Sequence, residues 1–258
     1  MGKNWNTKES AFEYAARRAQ AQRSVKSHIT EILSSAASDI ADKASIIRLT
    51  SNKGMFMQFV SSIASGILDE ANKKIEDYII SYSKASIKVL GDKDTGATTR
   101  LLNGELFGKT FTERNNRYIK YFSDDVANII LACRKLSVDA TNTKKAILSY
   151  FQDPYSSDII NKANKKGANV QTPSYRRGIY HSAYQNIVRN AQGTIAIAWG
   201  REAKNFAKRN GAIGFRVHRG SSYPCDICDH EVSKGTHPMS DQPGPYHSRC
   251  VCVIEYVY

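Results

Sequence analysis

The stretch Val25-Lys-Ser-His-Ile-Thr-Glu-Ile-Leu-Ser-Ser-Ala-Ala-Ser-Asp-Ile-Ala-Asp-Lys-Ala44 sets the fold class. Its apolar positions are Val25, Ile29, Ile32, Leu33, Ala36, Ile40 and Ala44, and Ile47 continues the series. Steps of three and four place them on one stripe of a helix. Upstream, Ser10 and Glu13 stand at capping-box spacing. A break at 51–54 precedes a second stripe of Phe56, Phe59, Val60, Ile63, Ile67, Leu68, Ala71, Ile75, Tyr78, Ile79, Tyr82 and Val89. Residues 91–99 are polar and carry Gly91 and Gly96, which reads as a loop. A third helix follows from Tyr118, Ile119, Phe122, Val126, Ile129, Ile130, Cys133 and Leu136, and a shorter one covers 144–151. Residues 1–152 are therefore expected to be a helical domain whose stripes face one another in an intramolecular bundle.

Residues 153–178 contain Pro154, Gly167, Pro173 and Gly178 among many Ser and Asn, and are expected to be a linker or long loop. Residues 179–209 return to helical spacing, with Ile179, Ala183, Ile187, Val188, Ala191, Ile195, Ala198, Trp199, Ala203 and Phe206 on one side. Gly211 and Gly214 end that helix. Beyond them, 215–219 alternates and 251–258 is rich in β-formers. The expected class is mainly α with a small α+β C-terminal lobe, divided 1–152, 153–178 and 179–258.

The chain has 258 residues, 41% of them apolar, enough for a real core. Lys and Arg number 37 against 24 Asp and Glu, a net charge of +13 that favours polyanionic partners. Residues 161–209 hold 10 of the basic residues and a single acid, Glu202, so most of the surplus falls there. Arg176, Arg177, Arg189, Arg201, Lys204, Lys208 and Arg209 are the candidates for contact with double-stranded DNA, without sequence preference, or with an acidic protein surface. No helix-turn-helix or RNP-like pattern accompanies them. The start of the chain lacks the apolar core of a signal peptide, and the longest apolar run, 129–133, is too short to span a bilayer. A protein made in a reducing cytoplasm, without membrane association, is expected.

Four of the 5 cysteines lie between Cys225 and Cys252, in Tyr223-Pro-Cys-Asp-Ile-Cys-Asp229 and Pro245-Tyr-His-Ser-Arg-Cys-Val-Cys252. Cys133 stands apart. Cys225 and Cys228 form a C-x2-C pair, and His247 and Cys250 an H-x2-C pair. Two close pairs joined by a loop are what a tetrahedral Zn2+ site asks of a chain, and a small lobe gains folding energy from the ion. Cys225, Cys228, His247 and Cys250 are the candidate ligands of a structural zinc. Cys252 and His237 are alternates, with His230 a further substitute. Cys250 and Cys252 alternate along an expected strand, so one of them is expected to be a spectator unless a turn brings them together.

Catalytic motifs are incomplete. Pro224-Cys-x-x-Cys228 copies half of the zinc deaminase signature, but no H-x-E supplies the other half. There is no G-x-S-x-G, P-loop or H-E-x-x-H. His218, His230 and His237 are available to a zinc-dependent nuclease or toxin-like effector, yet no paired-His motif appears. The reading is non-enzymatic, with that nuclease as the alternative.

The C-terminal region resembles the phage Mu F-like minor head proteins, also called phage head morphogenesis proteins. The resemblance runs from about Arg176 to Val253 and covers under a third of the chain. It rests on Asn186-Ile-Val-Arg-Asn-Ala191 in the long helix, Phe215-Arg-Val-His-Arg-Gly220, Cys225 with Cys228, and His247-Ser-Arg-Cys-Val-Cys252. The family helix often carries Arg-Thr-Glu where this chain has Arg189-Asn-Ala191. The resemblance implies a minor virion component, made in the bacterial host and associated with the portal or other capsid proteins in a homo- or hetero-oligomeric assembly.

Overall fold

The computed structural model describes residues 5–46, 52–105, 108–152, 157–170, 182–247 and 249–258. Among them the chain is mainly helical with a small sheet near its C-terminal end. The helices are α1 (Lys8–Ser45), α2 (Lys53–Leu90), α3 (Ala97–Asn103), α4 (Phe111–Lys135), α5 (Ala140–Gln152), α6 (Asp158–Lys165), α7 (Ala183–Arg209) and α8 (Asp226–Ser233). The strands are β1 (Gly214–His218), β2 (Thr236–Pro238) and β3 (Val253–Val257).

The α1 stripe is buried as expected at Val25, Ile29, Leu33, Ala36, Ile40 and Ala44. Ile32 is only partly covered, and Ile47 lies outside the described residues. The cap differs from expectation. The Thr7 hydroxyl accepts the Ser10 amide at 3.1 Å, and the Ser10 hydroxyl receives the Thr7 amide at 3.2 Å. Thr7 is thus the N-cap and Ser10 performs the reciprocal role, which leaves Glu13 to pair with Arg17 one turn on. In α2 the buried stripe is Phe56, Val60, Ala64, Leu68, Ala71, Ile75 and Ile79, continued by Ser83, Ser86, Ile87 and Leu90. Phe59 and Tyr78 face outward, because small side chains at 64, 83 and 86 take core positions that an apolar count overlooks.

The chain forms two compact units, each assembled from separated stretches. One comprises 1–26, 77–111 and 189–258, and the other 27–76 and 112–188. The contiguous division expected from the sequence is therefore not the grouping seen, since α1, α2 and α7 each supply residues to both units. In the second unit α4 is buried continuously from Asp125 to Cys133, the pattern of a helix covered on all sides. Asp125 accepts the Ala183 amide at 3.3 Å at the start of α7, where a carboxylate suits the unpaired donors. The expected 153–178 linker contains α6, whose Ile160 and Ala163 are buried. Asn164 then holds Val170 through both its backbone groups, at 2.6 and 3.0 Å. Residues 153–156 and 171–181, with Arg176, Arg177 and Ile179, lie outside the described residues.

In the first unit Trp199 on α7 is buried. Its indole donates to the Tyr82 carbonyl at 2.8 Å, and its own carbonyl accepts the Tyr14 hydroxyl at 2.9 Å. Glu202, three residues on, is also buried. It accepts the Thr98 amide at 3.0 Å and the Thr98 hydroxyl at 2.7 Å, so it satisfies the first turn of α3, which Gly96 leaves without a side-chain cap. Glu202→Gln keeps the shape but loses the charge-assisted bonds. It should lower stability by about 1–2 kcal/mol, read as a lower urea midpoint at unchanged slope.

The sheet order is β2-β1-β3, antiparallel throughout. Phe215 lies opposite both His237 and Tyr256 and stacks on the His237 ring at 4.8 Å. Around it the lobe core gathers Ala203 and Ala207 from α7 with Val217, Tyr256, Cys228, Cys250 and Cys252. So small a core explains why cysteines make up much of it.

Candidate metal centre

The C-x2-C pair sits at the start of α8. Cys225 is the residue before its first turn, in extended backbone, and Cys228 lies within that turn. One helical turn between them points both sulfurs to the same side. Arg219 holds the approach to this turn: it donates to the Cys225 carbonyl at 3.2 Å, to the Tyr223 carbonyl and to the Asp229 carboxylate. His247 and Cys250 form the facing turn, closed by the Cys250 amide on the His247 carbonyl at 3.1 Å, with Arg249 at a φ of 65°.

The two turns converge. His247 Nε2 lies 3.3 Å from Cys225 Sγ and 3.0 Å from Cys228 Sγ, and Cys228 Sγ lies 3.9 Å from Cys250 Sγ. Cys225, Cys228 and His247 form one group whose donor atoms all fall within 4.8 Å of one another, and Cys228, Cys250 and Cys252 form a second. Cys228 belongs to both. Two thiolates on one tetrahedral zinc stand about 3.8 Å apart, given bonds of about 2.3 Å. The observed sulfur separation fits that edge, so these residues can hold a metal ion. The expected set of Cys225, Cys228, His247 and Cys250 is thus not gathered in one group: Cys250 joins Cys228 with Cys252 in place of Cys225 and His247, and no disulfide joins any of the cysteines.

Cys250 and Cys252 converge rather than face apart. β3 begins only at Val253, so the alternation expected of a strand does not apply to them. Both are buried. A hydrogen bond from the Cys252 thiol lowers the Cys250 pKa to about 5 against the opposing effect of burial. The same bond, with burial, raises that of Cys252. Burial pushes the Cys228 thiol up to about 11.

His237 and His218 are engaged elsewhere. His237, the alternate ligand, is outside both donor groups: its Nε2 lies 2.8 Å from the Glu231 carbonyl and its Nδ1 3.6 Å from Asp241. His218 Nε2 meets the Glu255 carboxylate at 2.6 Å. Cys133 is buried in the other compact unit.

The basic candidates separate into three kinds. Arg201 and Lys208 are exposed on α7. Lys204, on the same face, donates to the Asp241 carbonyl at 2.8 Å and keeps its charge unmatched by a carboxylate. Arg209 pairs with Asp92, and Arg189 is largely covered with its Nε unpartnered, so neither offers a free cation. Sequence reasoning missed α8, β2 and Arg18, whose guanidinium reaches the Cys252 carbonyl. Asp226 and Asp229 after Cys225 were a usable signal for α8, since acids favour a first turn. Nothing local marks Arg18.

Among the described residues no helix is long and apolar enough to cross a membrane. Fold and site together define a mainly helical protein with a compact Cys/His cluster able to hold a metal. The chain matches no protein-family model, no curated protein and no solved structure.

Proposed function

We propose that the chain is a non-enzymatic minor virion protein of the phage head morphogenesis type, with a structural Zn2+ held by Cys225, Cys228, His247 and Cys250. The observation that carries this reading is the meeting of the C-x2-C and H-x2-C turns at Cys228, which shares one donor group with Cys225 and His247 and another with Cys250 and Cys252, after α7 and β1, the order on which the family resemblance rests. A surplus donor, Cys252, supports a closed architectural site over a catalytic one, because a hydrolytic zinc keeps a position open to water. In this role the metal fixes the lobe, and the helices meet the portal or other capsid proteins in a homo- or hetero-oligomeric particle. Mass spectrometry of purified particles from the phage that encodes the chain tests the assignment. Stoichiometric presence in DNA-filled heads is expected, and absence from them overturns it.

Contact with packaged double-stranded DNA falls to Arg201, Lys204 and Lys208, which lie on one face of α7. Salt-dependent, sequence-independent binding is expected. Arg201→Glu with Lys208→Glu should flatten the slope of log affinity against log salt by roughly 2, near 0.9 for each phosphate no longer neutralised. No duplex binding at low ionic strength would remove DNA from the partners.

A further inference from the structure

Helices α1 and α7, the end of α2 and strand β3 line a cavity of about 40 Å3 within the first compact unit. Its walls are mostly apolar, with Leu90, Phe206 and Ile254 among them, and the exposed Tyr258 places it at the surface. Two polar side chains of the lining, Arg18 and Tyr256, are each only 8% exposed. Arg18 Nε and the Tyr256 hydroxyl have no hydrogen-bond partner among the described residues. The guanidinium gives Nη2 to the Cys252 carbonyl at 3.0 Å, and among the described residues no carboxylate forms an ion pair with it. Glu202, the buried acid of the same unit, is spent on Thr98. Tyr14, also in the lining, donates its hydroxyl to the Trp199 carbonyl.

A guanidinium stays charged in proteins, and a buried charge is costly unless a counter-charge accompanies it. A phenol hydroxyl offers one further donor. A cation and an unused donor in one apolar recess select an anion that accepts from both and carries an apolar remainder. Size narrows the class. A benzene ring occupies an apolar cavity of about 150 Å3, far more than is present here, whereas a methylene chain is narrower. We propose that this cavity binds a linear aliphatic monocarboxylate, whose carboxylate pairs with Arg18 and accepts from the Tyr256 hydroxyl while its chain runs along the apolar wall to the surface. The carboxylate supplies the charge that the protein's own acids do not. The methylenes gain by leaving water for Leu90, Phe206 and Ile254. No cysteine or histidine of the metal cluster lines the cavity, so the ligand does not depend on the zinc.

Isothermal titration calorimetry of the full chain, in buffer containing zinc, tests this with sodium octanoate as the probe. Saturable binding of one octanoate per chain is expected. Octanol, with the same chain and no charge, and octylamine, with the opposite charge, should bind at least roughly tenfold more weakly, the least that a hydrogen bond to a charged group contributes. Tyr256→Phe removes only a hydroxyl that has no protein partner, so the denaturation midpoint should hold while octanoate affinity falls roughly tenfold. Arg18→Met keeps the stem, removes the charge and should weaken octanoate binding by roughly 100-fold. Where Arg18→Met fails to fold, Tyr256→Phe decides. No saturation by octanoate, equal affinity for octanol, or wild-type affinity in Tyr256→Phe would each overturn the proposal. Inorganic phosphate bound as tightly as octanoate would overturn it too, since the apolar wall would then select nothing.

Discussion

Cys228→Ser should leave the full-length chain without bound metal and with the lobe at 214–258 unfolded. Cys228 is the one donor common to both three-residue groups, and it is buried at the start of α8. A serine hydroxyl is a poor substitute for thiolate, and the remaining donors lose their shared corner. The binding energy of a structural zinc, about 10–16 kcal/mol in small domains, is folding energy for the element that carries it. In the proposed role that energy goes to a three-stranded sheet over a core built partly from cysteines. Metal analysis after gel filtration, with hydrogen exchange on the same sample, reads both losses. Cys252→Ser is the informative partner. If Cys250 completes the set, that variant keeps its zinc, whereas Cys250→Ser loses it. A Cys228→Ser chain with full zinc content and a protected sheet would refute the site.

The second large effect is expected at Gly220, in the loop between β1 and α8. A Cβ built there would fall 1.9 Å from the Val251 carbonyl oxygen and 2.7 Å from its carbon. Those atoms are backbone, so no rotamer change relieves the overlap. Val251 lies between Cys250 and Cys252, and moving its carbonyl moves two sulfurs of the cluster. Gly220→Ala should therefore cost stability at the upper end of the roughly 1–3 kcal/mol typical of overpacking, and should weaken zinc binding by roughly tenfold. Chemical denaturation and chelator competition measure the two effects. At Gly193, where a Cβ meets nothing within 4 Å, alanine gives a control expected to preserve zinc affinity. Gly220→Ala with unchanged affinity would mean that the loop gives way without disturbing the cluster.

Much of the helical content was legible because helix formation is periodic and local. The stripe from Val25 to Ala44 reports its own buried face, and the same holds for α4 and α7. Where local signals competed, the structure chose between them. Thr7 rather than Ser10 caps α1, since both hydroxyls can accept an amide and only the start of the helix distinguishes them. Helix α6 was hidden because Pro and Gly on both sides marked the region as irregular, while eight residues are too few for a clear period. The zinc candidates were legible from pair spacing, which dictates that each pair lies on a single turn. Their completion was not: Cys250 and Cys252 looked divergent until the start of β3 at Val253 placed both outside the strand.

By itself the sequence determined the helical class, the positions of the long apolar stripes, and the two turns that bear Cys225, Cys228, His247 and Cys250. Each depends on side chains a few residues apart, within reach of helical or turn geometry. The tertiary structure alone decided that the compact units draw on separated stretches, that Arg189 and Arg209 are not free cations, and that Arg18 meets the metal lobe. Arg18 and Cys252 are 234 positions apart. No periodicity or spacing encodes such a meeting. It arises because burial must be shared among all the apolar stripes at once, and the folded chain alone shows which charges that brings together.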